Sequence, residues 1–236
     1  EYLGFGTTTS LGVAQLDEAE ELLIKAWTED NVKFEGEFFN VSFPSVRPRP
    51  YQKPHPPLAR ACTGDASLVE MAKIGRPVLI RGASCNATGE KIELYRDTMS
   101  GAGFSEEEVE KSLDQIWVWR EMHIADTDDE AMGDFLPAHI QAYEYLEEIR
   151  AEWNPPEMEI SMQRPPLGQS GYGESPDPDA SESLIGGYKR VAEQVASMRD
   201  VGVRNLMLTN RGLVSQETAN KSLTLLSEKI MPSFQG

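Results

Sequence analysis

The stretch from Val32 to Ala72, VKFEGEFFNVSFPSVRPRPYQKPHPPLARACTGDASLVEMA, constrains the fold of this chain more than any other. Prolines recur from Pro44 to Pro57, where they remove backbone N–H donors and hold φ at about −65°, so this part cannot form a helix. Just before it, Phe34, Phe38 and Val41 flank an E-G pair. Apolar residues on both sides of such a turn predict a short β-hairpin.

A strand, a turn and a helix follow the prolines. Leu58 to Cys62 is a short apolar segment, and the helix predicted from Leu68 to Ile74 begins after a small, polar turn. Unpaired backbone N–H groups and the helix dipole converge at such a helix start, where they favour an anion. We therefore predict an anion-binding site in this turn, formed by Thr63, Gly64, Asp65, Ala66 and Ser67. Asp65 opposes an anion unless its carboxylate points away or caps the helix.

Strands and helices alternate along the rest of the chain. Apolar residues recur at helical spacing around Leu16, Ile92, Val191 and Leu223. The segments that predict strands are 58–62, 78–81, 116–124 and 203–209. This alternation favours a parallel sheet with helical crossovers, in which the strands are adjacent in chain order. Four strand–helix units are half of an eight-stranded barrel.

Few side chains in the predicted strands suggest chemistry. Arg81 ends the second strand, where it could face a pocket and bind a phosphate or carboxylate, although an arginine that faces solvent fits the same position. We expect His123 to be a satisfied histidine of a sheet face, and Trp117 and Trp119 to belong to the core. The three histidines have no metal-ligand spacing, so we expect no metal.

The composition excludes several kinds of partner. The 236 residues carry a formal net charge of −17, which repels nucleic acid and anionic membrane surfaces. A hydrophobic content of 39% suits a soluble, cytoplasmic protein, and the apolar runs are too short to span a bilayer. Cys62 and Cys85 have no CxxC spacing, and we expect two free thiols.

Longer motifs follow one another in a characteristic order. The run AEELLIKAWTED precedes V-x-F-E-G-x-F-F-x-V, R-P-x-P-x-Q-x-P-H-P-P and the strand with its small-residue turn. The junction MHIADTDDEA comes later, and the chain closes with IGGYKRVAEQVASMRDVGVRNLMLT and SLTLLSEKIMPSF. Together these motifs resemble the bacterial luciferase-like flavin-dependent monooxygenases. The opening EYLGFG resembles the family's segment after its fourth barrel strand, so the likeness covers essentially the whole chain.

The resemblance implies an α/β fold, a (β/α)8 TIM barrel that binds FMN, or alternatively a deazaflavin, at its carboxyl-terminal face. It implies that residues 1–236 are the C-terminal part of a single barrel domain, with strands five to eight, and that strands one to four precede them. A short homologue with a rearranged fold is the alternative. The flavin phosphate would lie at the turn 63–67, near Arg81. The family's principal catalytic side chains come from the first four strands, so no residue of this chain is assigned a catalytic role.

The function implied is that of a flavin-dependent oxidoreductase, in the first place a monooxygenase that uses reduced FMN and O₂ on a small organic substrate. The alternatives are a deazaflavin-dependent reductase or dehydrogenase of the same superfamily and a catalytically inert flavin-binding barrel subunit. A flavin reductase would be a partner that supplies reduced flavin. We expect a homodimer or heterodimer when the protein is full length.

One polar segment interrupts the alternation of strands and helices. Residues Asn154 to Ser183 are rich in proline, glycine, serine and acidic side chains. We expect a mobile insertion that covers the carboxyl-terminal face, because loops after barrel strands lie there. A plain surface linker is the alternative.

Overall fold

The computed structural model describes residues 3–8, 10–81, 84–153, 183–210 and 214–234. The chain divides into two compact units, Glu1–Leu58 and Ala59–Gly236. The predicted mobile insertion lies outside the described residues, apart from Ser183. The assignment of all 236 residues to one barrel domain stays a prediction.

The first unit contains a helix and a β-hairpin. Helix α1 is Gly12–Thr28, and strands β1 (Val32–Glu35) and β2 (Asn40–Phe43) pair in antiparallel register. Val32 and Phe34 alternate with exposed residues of β1 and are buried. The hairpin predicted from the apolar pattern is therefore confirmed.

A glutamate ties the hairpin turn to α1. The carboxylate of Glu18 accepts the backbone N–H groups of three consecutive turn residues over 2.7–3.2 Å, and these donors are Glu37, Phe38 and Phe39. Gly36 precedes them, and a Cβ at this position would lie 2.0 Å from a carboxylate oxygen of Glu18. Glycine is therefore needed at position 36 for the glutamate to reach the turn.

The proline-rich segment 44–57 forms no helix or strand, as its sequence predicts. Arg49 of this segment donates to the carbonyl of Glu29 at 2.9 Å and pairs with Asp30, just after α1 ends.

The apolar face of α1 is less buried than the helical spacing of its apolar residues indicated. Leu16 and Leu23 remain 50% and 40% exposed.

The second unit is built on a sheet of five parallel strands, counted over the described residues. They are β3 (Arg60–Cys62), β4 (Val78–Ile80), β5 (Trp117–Ala125), β6 (Ser183–Gly187) and β7 (Leu206–Thr209). β3 pairs with β4, β4 pairs with the start of β5, and β7 pairs with β5 at positions 118–121. The four strands predicted from the sequence are therefore confirmed as parallel neighbours in chain order.

The sequence did not predict β6, which pairs with the carboxyl half of β5. Val118 pairs with both β4 and β7, and Glu121 pairs with both β6 and β7. Two partners of one residue must lie on opposite edges of its strand. β4 and β6 thus share one edge of β5, and β7 occupies the other.

Helices cover one face of the sheet. The helices of this unit are α2 (Asp65–Lys73), α3 (Cys85–Gly101), α4 (Glu106–Leu113), α5 (Asp128–Trp153), α6 (Tyr188–Asp200) and α7 (Gln216–Leu225). All of them except α5 contribute to the larger core. The strand residues of that core, each at most 3% exposed, are Cys62, Val78, Ile80, Val118, Met122, Ile124 and Leu184.

Helix α5 packs on the opposite face of β5 and β6. Its Ala131 and Phe135 form a second, smaller core with Ala125 of β5 and Ile185 of β6. Odd-numbered positions of β5 lie on the face that α5 partly covers, and even-numbered positions face the larger core, as strand alternation requires. We call the face that carries the odd-numbered positions of β5 the inner face.

The sheet is open and does not close into the eight-stranded barrel that the resemblance implied. A barrel of that kind closes with eight strands, whereas the five described parallel strands leave β3 and β7 as edges. The architecture is therefore an α/β fold with a parallel sheet.

The two cysteines lie in regular elements. Cys62 ends β3 and Cys85 begins α3, and both are buried and free. None of the helices in the described ranges is long and apolar enough to cross a bilayer.

Candidate active site

The carboxyl ends of the parallel strands lie along one edge of the sheet. Cys62 at the end of β3 pairs with Ile80 at the end of β4, so Thr63 and Arg81 leave the sheet side by side. Ligands of parallel α/β folds bind at this edge. The structure thus brings the predicted site residues, the turn 63–67 and Arg81, to the same edge.

The turn after β3 forms the start of helix α2. Gly64 is the N-cap residue, with φ −103° and ψ 157°, and Asp65 is the first helical residue. Ser67 Oγ donates to the carbonyl oxygen of Gly64 at 2.9 Å. A Cβ on Gly64 would meet no described heavy atom within 4 Å. The N–H groups of the first turn of a helix lack intrahelical acceptors, so they can bind an anion.

A lysine from α3 contacts this turn. Lys91 Nζ lies 2.6 Å from Asp65 Oδ1 and 3.3 Å from the carbonyl oxygen of Thr63, and its side chain is only 14% exposed. Lys91 follows Asp65 by 26 residues and reaches it through the packing of α3 beside α2, so no local pattern indicated it. Its ammonium offsets the negative charge of Asp65, which would otherwise repel an anion bound at this turn.

The thiol behind the turn is unreactive. Burial raises the pKa of Cys62, and a hydrogen bond with Ser67 opposes this shift only in part. Cys62 therefore stays protonated at neutral pH and acts as a small apolar side chain under the turn.

The inner face of the sheet carries a pocket of about 240 Å³. The guanidinium carbon of Arg81 lies 4.5 Å from the ring centroid of Trp119, a cation–π contact. Apolar side chains form most of the remaining wall. The complete lining is Ala61, Leu79, Arg81, Trp117, Trp119, Met207 and Thr209.

The two tryptophans correct an expectation from the sequence. Both were expected in the core, but both line this pocket, and Trp117 is 41% exposed. Their side chains alternate with Val118 and Arg120, which are buried on the other face. The spacing of Trp117 and Trp119 indicated a shared strand face, but it could not tell which face the helices cover.

His123 lies on the same face of β5, beyond the pocket, and is 1% exposed. Its Nε2 lies 3.3 Å from Asp134 Oδ2, and its ring stacks on Phe135, which also stacks on His139. The position of His123 on a sheet face is as expected. Its hydrogen bonding is incomplete, because Nδ1 has no partner among the residues that the structure describes.

Charged side chains fix the start of α5 at the same edge of the sheet. Asp128 Oδ1 accepts the backbone N–H of Gly187 at 2.6 Å, and Lys221 Nζ lies 2.7 Å from Glu130 and 2.9 Å from Asp126. Hydrogen bonds to Glu130 and Asp126 raise the pKa of Lys221, which stays charged.

Within the described ranges, no group of three or more His, Cys, Asp or Glu side chains is placed to hold a metal ion.

The model of the family described as luciferase-like monooxygenase matches residues 1–205 of the chain. The chain belongs to the luciferase-like monooxygenase family. This assignment confirms the resemblance drawn from the sequence motifs.

One curated relative in this family is the FMNH₂-dependent dimethylsulfone monooxygenase of Pseudomonas putida. The two sequences are 22% identical over 184 residues, which cover 75% of this chain and 47% of the relative. The chain thus spans about half the length of that luciferase-like protein.

Two solved structures show a similar fold at low sequence identity. Monooxygenase RslO1 from Streptomyces bottropensis has a TM-score of 0.74 and 20% identity, over 99% of this chain and 65% of its own. The coenzyme F420-dependent tetrahydromethanopterin reductase from Methanopyrus kandleri has a TM-score of 0.61 and 17% identity, over 93% of this chain and 63% of its own.

Proposed function

We propose that this chain is part of a flavin-dependent oxidoreductase, in the first place a monooxygenase that uses reduced FMN and O₂ on a small organic substrate. The match of the luciferase-like family model over residues 1–205 carries the proposal. The name of the curated relative, which states a dependence on FMNH₂, supports FMN as the cofactor.

The turn after β3 suits the phosphate of a flavin mononucleotide. The N–H groups at the start of α2 and the ammonium of Lys91 both favour a dianion there, and no described atom lies within 4 Å of a Cβ on Gly64. Because Lys91 already offsets the charge of Asp65, the phosphate would meet no uncompensated carboxylate in this turn. Thr63, Gly64, Asp65, Ala66 and Ser67 are therefore the proposed phosphate-binding residues.

The pocket on the inner face suits part of a planar aromatic ring system. It is smaller than the roughly 300–1,000 Å³ typical of pockets that enclose a whole ligand, so it would hold only part of a flavin. Trp119 with Arg81 above it offers a flat, cationic wall, and Leu79 and Met207 offer apolar ones. Arg81 is the proposed partner for an anionic group at the rim.

A bound flavin would supply the redox chemistry. The proposed task of this chain is to hold and orient the cofactor at the carboxyl edge of the sheet. The apolar side chains around Trp117 and Trp119 would also keep water from the ring, which matters for any reduced flavin that meets O₂.

A deazaflavin-dependent reductase or dehydrogenase is the second candidate. The similarity to the F420-dependent tetrahydromethanopterin reductase favours it, although that similarity concerns the fold. Both candidates use the same edge of the sheet, and they differ in cofactor and in the use of oxygen.

The test compares cofactors on the purified protein. We expect FMN to bind more tightly than coenzyme F420 in equilibrium dialysis, and we expect reductase-dependent O₂ uptake in the full-length protein with FMN. Preference for F420 without O₂ uptake would support the reductase. Flavin binding without turnover, over a broad panel of small organic substrates, would indicate an inert subunit and contradict the proposal.

A further inference from the structure

His123 lies close to the proposed flavin site but is not one of the residues proposed to bind the flavin. Thr209 lines the pocket and pairs with Glu121 of β5. His123 is two residues after Glu121 and therefore lies on the same face, about 7 Å further along the strand. His123 also pairs in register with Ile185 of β6, which belongs to the smaller core. The histidine thus lies just beyond the rim of the pocket, at the carboxyl end of the sheet.

Asp134 determines which ring nitrogen of His123 carries the proton. A carboxylate can only accept a hydrogen bond, so the nitrogen that faces it across 3.3 Å, Nε2, is the donor. Stacking on Phe135, with ring centroids 6.4 Å apart and planes 24° from parallel, holds the ring orientation. Nδ1 then carries the lone pair, and it is the buried nitrogen without a described partner.

Packing alone explains this histidine poorly. A buried acceptor without a hydrogen bond destabilises a fold, and an apolar side chain of similar size would avoid that loss. An apolar cluster of Ala125, Phe135 and Ile185 adjoins the ring. A lone pair kept in such a place suggests a group that takes up a proton.

We propose that His123 is a proton-exchanging residue of the proposed flavin site and that Asp134 positions it and balances its charge. Nδ1 accepts a proton from a weakly acidic N–H or O–H group of a ligand that extends from the pocket along β5. The new bond is Nδ1–H, the ligand keeps the electron pair of the broken bond, and the imidazolium faces the Asp134 carboxylate. The reverse step returns the proton. This inference rests on the proposed function.

The other titratable groups around His123 are few. Asp134 and His139 come from α5, and Phe135 separates His139 from His123. Glu121, 1% exposed, precedes His123 on the same strand face and stands level with the rim of the pocket. β6 contributes no ionisable side chain. The Asp134 side chain is 39% exposed, so the proton can be exchanged with solvent on that side.

Histidine nitrogen NMR tests the assignment directly, because the chain has only three histidines. The protein labelled with ¹⁵N-histidine is recorded at neutral pH, and His55→Gln and His139→Gln assign the signals. We expect a protonated Nε2 and an unprotonated Nδ1 at His123. Asp134→Ala should mix the two tautomers, whereas Asp134→Asn, which keeps an acceptor oxygen, should not.

Reduced FMN is then added without oxygen, and its binding is measured separately by equilibrium dialysis. We expect the Nδ1 signal of His123 to move towards the protonated range as the site fills. Binding of FMN with an unchanged His123 signal would overturn the inference and leave the proposed function intact. Absence of FMN binding would remove the proposed function, and the inference would fall with it.

A second variant separates this role from a structural one. His123→Leu should leave the urea midpoint equal to or higher than that of the parent chain, because it removes a buried nitrogen that has no partner among the described residues. A clear loss of stability in His123→Leu would show that the histidine is kept for packing, and would overturn the inference.

Discussion

At the scale of single residues, long-range contacts decide what each side chain can do. Glu18 is an example, since its carboxylate accepts three backbone N–H groups of the hairpin turn. We predict that Glu18→Ala destabilises the chain by about 1–2 kcal/mol, the order expected for charge-assisted hydrogen bonds in a partly exposed place. Alanine keeps the helix propensity, so the loss comes from the contacts.

Hydrogen exchange localises this effect. The amides of Glu37, Phe38 and Phe39 should exchange faster in Glu18→Ala than in the parent chain, while amides of the second unit stay unchanged. Glu21→Ala, an exposed position of the same helix, is the matched control and should change neither quantity. Equal exchange at the turn in both variants would show that Glu18 does not hold it.

Some site residues were predictable from the sequence and others were not. Thr63 to Ser67 and Arg81 follow strands and could be placed at the carboxyl edge by topology alone. Lys91 could not, because it meets Asp65 through the packing of two helices. Trp117 was expected in the core, since a tryptophan on a strand gives no sign of which sheet face the helices will cover.

At the scale of elements, side chains replace backbone pairing where a strand ends. β7 pairs with β5 only as far as Glu121, and three residues later Ser222 Oγ of α7 accepts the N–H of Ile124 at 2.8 Å. Ser222 is 3% exposed. We predict that Ser222→Ala leaves this buried N–H unpaired and lowers the free energy of unfolding by about 1–3 kcal/mol.

Urea denaturation measures this loss, and Ser227→Ala supplies the control. Ser227 is exposed on the continuation of the same helix and donates only to the carbonyl of Thr224. The control should stay within about 0.5 kcal/mol of the parent chain. Equal stability of Ser222→Ala and the control would mean that the N–H of Ile124 finds another partner.

A network of charges joins α3, α4 and the segment before β7. Hydrogen bonds from Arg204 and then from Arg96 hold the pKa of Glu110 below its usual range. A carboxyl group with a lowered folded-state pKa stabilises the fold above its unfolded value, about 4.5, and this stabilisation disappears as the pH falls through the folded value.

We therefore predict that Glu110→Gln is less stable than the parent chain at pH 7, by about 0.5–1 kcal/mol, because the network is partly exposed. The difference should be smaller at pH 3, because the stabilisation declines below pH 4.5. Urea unfolding at both pH values checks this, with Glu90→Gln, an exposed position of α3, as control. A difference that persists unchanged at pH 3 would contradict the ionic origin of the effect.

The missed strand β6 shows where sequence reasoning fails for elements. Ser183–Gly187 contains two glycines, which weaken any strand pattern. Its pairing with the carboxyl half of β5 makes it a strand. Gly186 has φ +155°, and a Cβ there would lie 2.9 Å from Asp128 Oδ1, so its glycine reflects close contact with α5.

At the scale of the whole molecule, alternation of strands and helices was enough to predict a parallel α/β sheet and the order of four strands. The predicted closed barrel is not observed, because a barrel of that kind closes with eight strands and the structure describes five in this sheet. The family assignment came from the order of motifs, and the match over residues 1–205 agrees with it. Dimerisation and a flavin reductase partner stay predictions.

We propose that the carboxyl edge of this sheet binds a flavin by its phosphate. Titration with FMN and with riboflavin, which has no phosphate, followed by flavin fluorescence, tests it most directly. The parent chain should bind FMN at one saturable site. Lys91→Met should weaken FMN binding about tenfold, or ~1.4 kcal/mol, and leave riboflavin unchanged.

Lys73→Met, at the other end of α2, is the control and should bind FMN as the parent chain does. Equal affinity of the parent chain and Lys91→Met for FMN would place the phosphate elsewhere. Absence of saturable binding by either flavin would contradict the proposed flavin-dependent function.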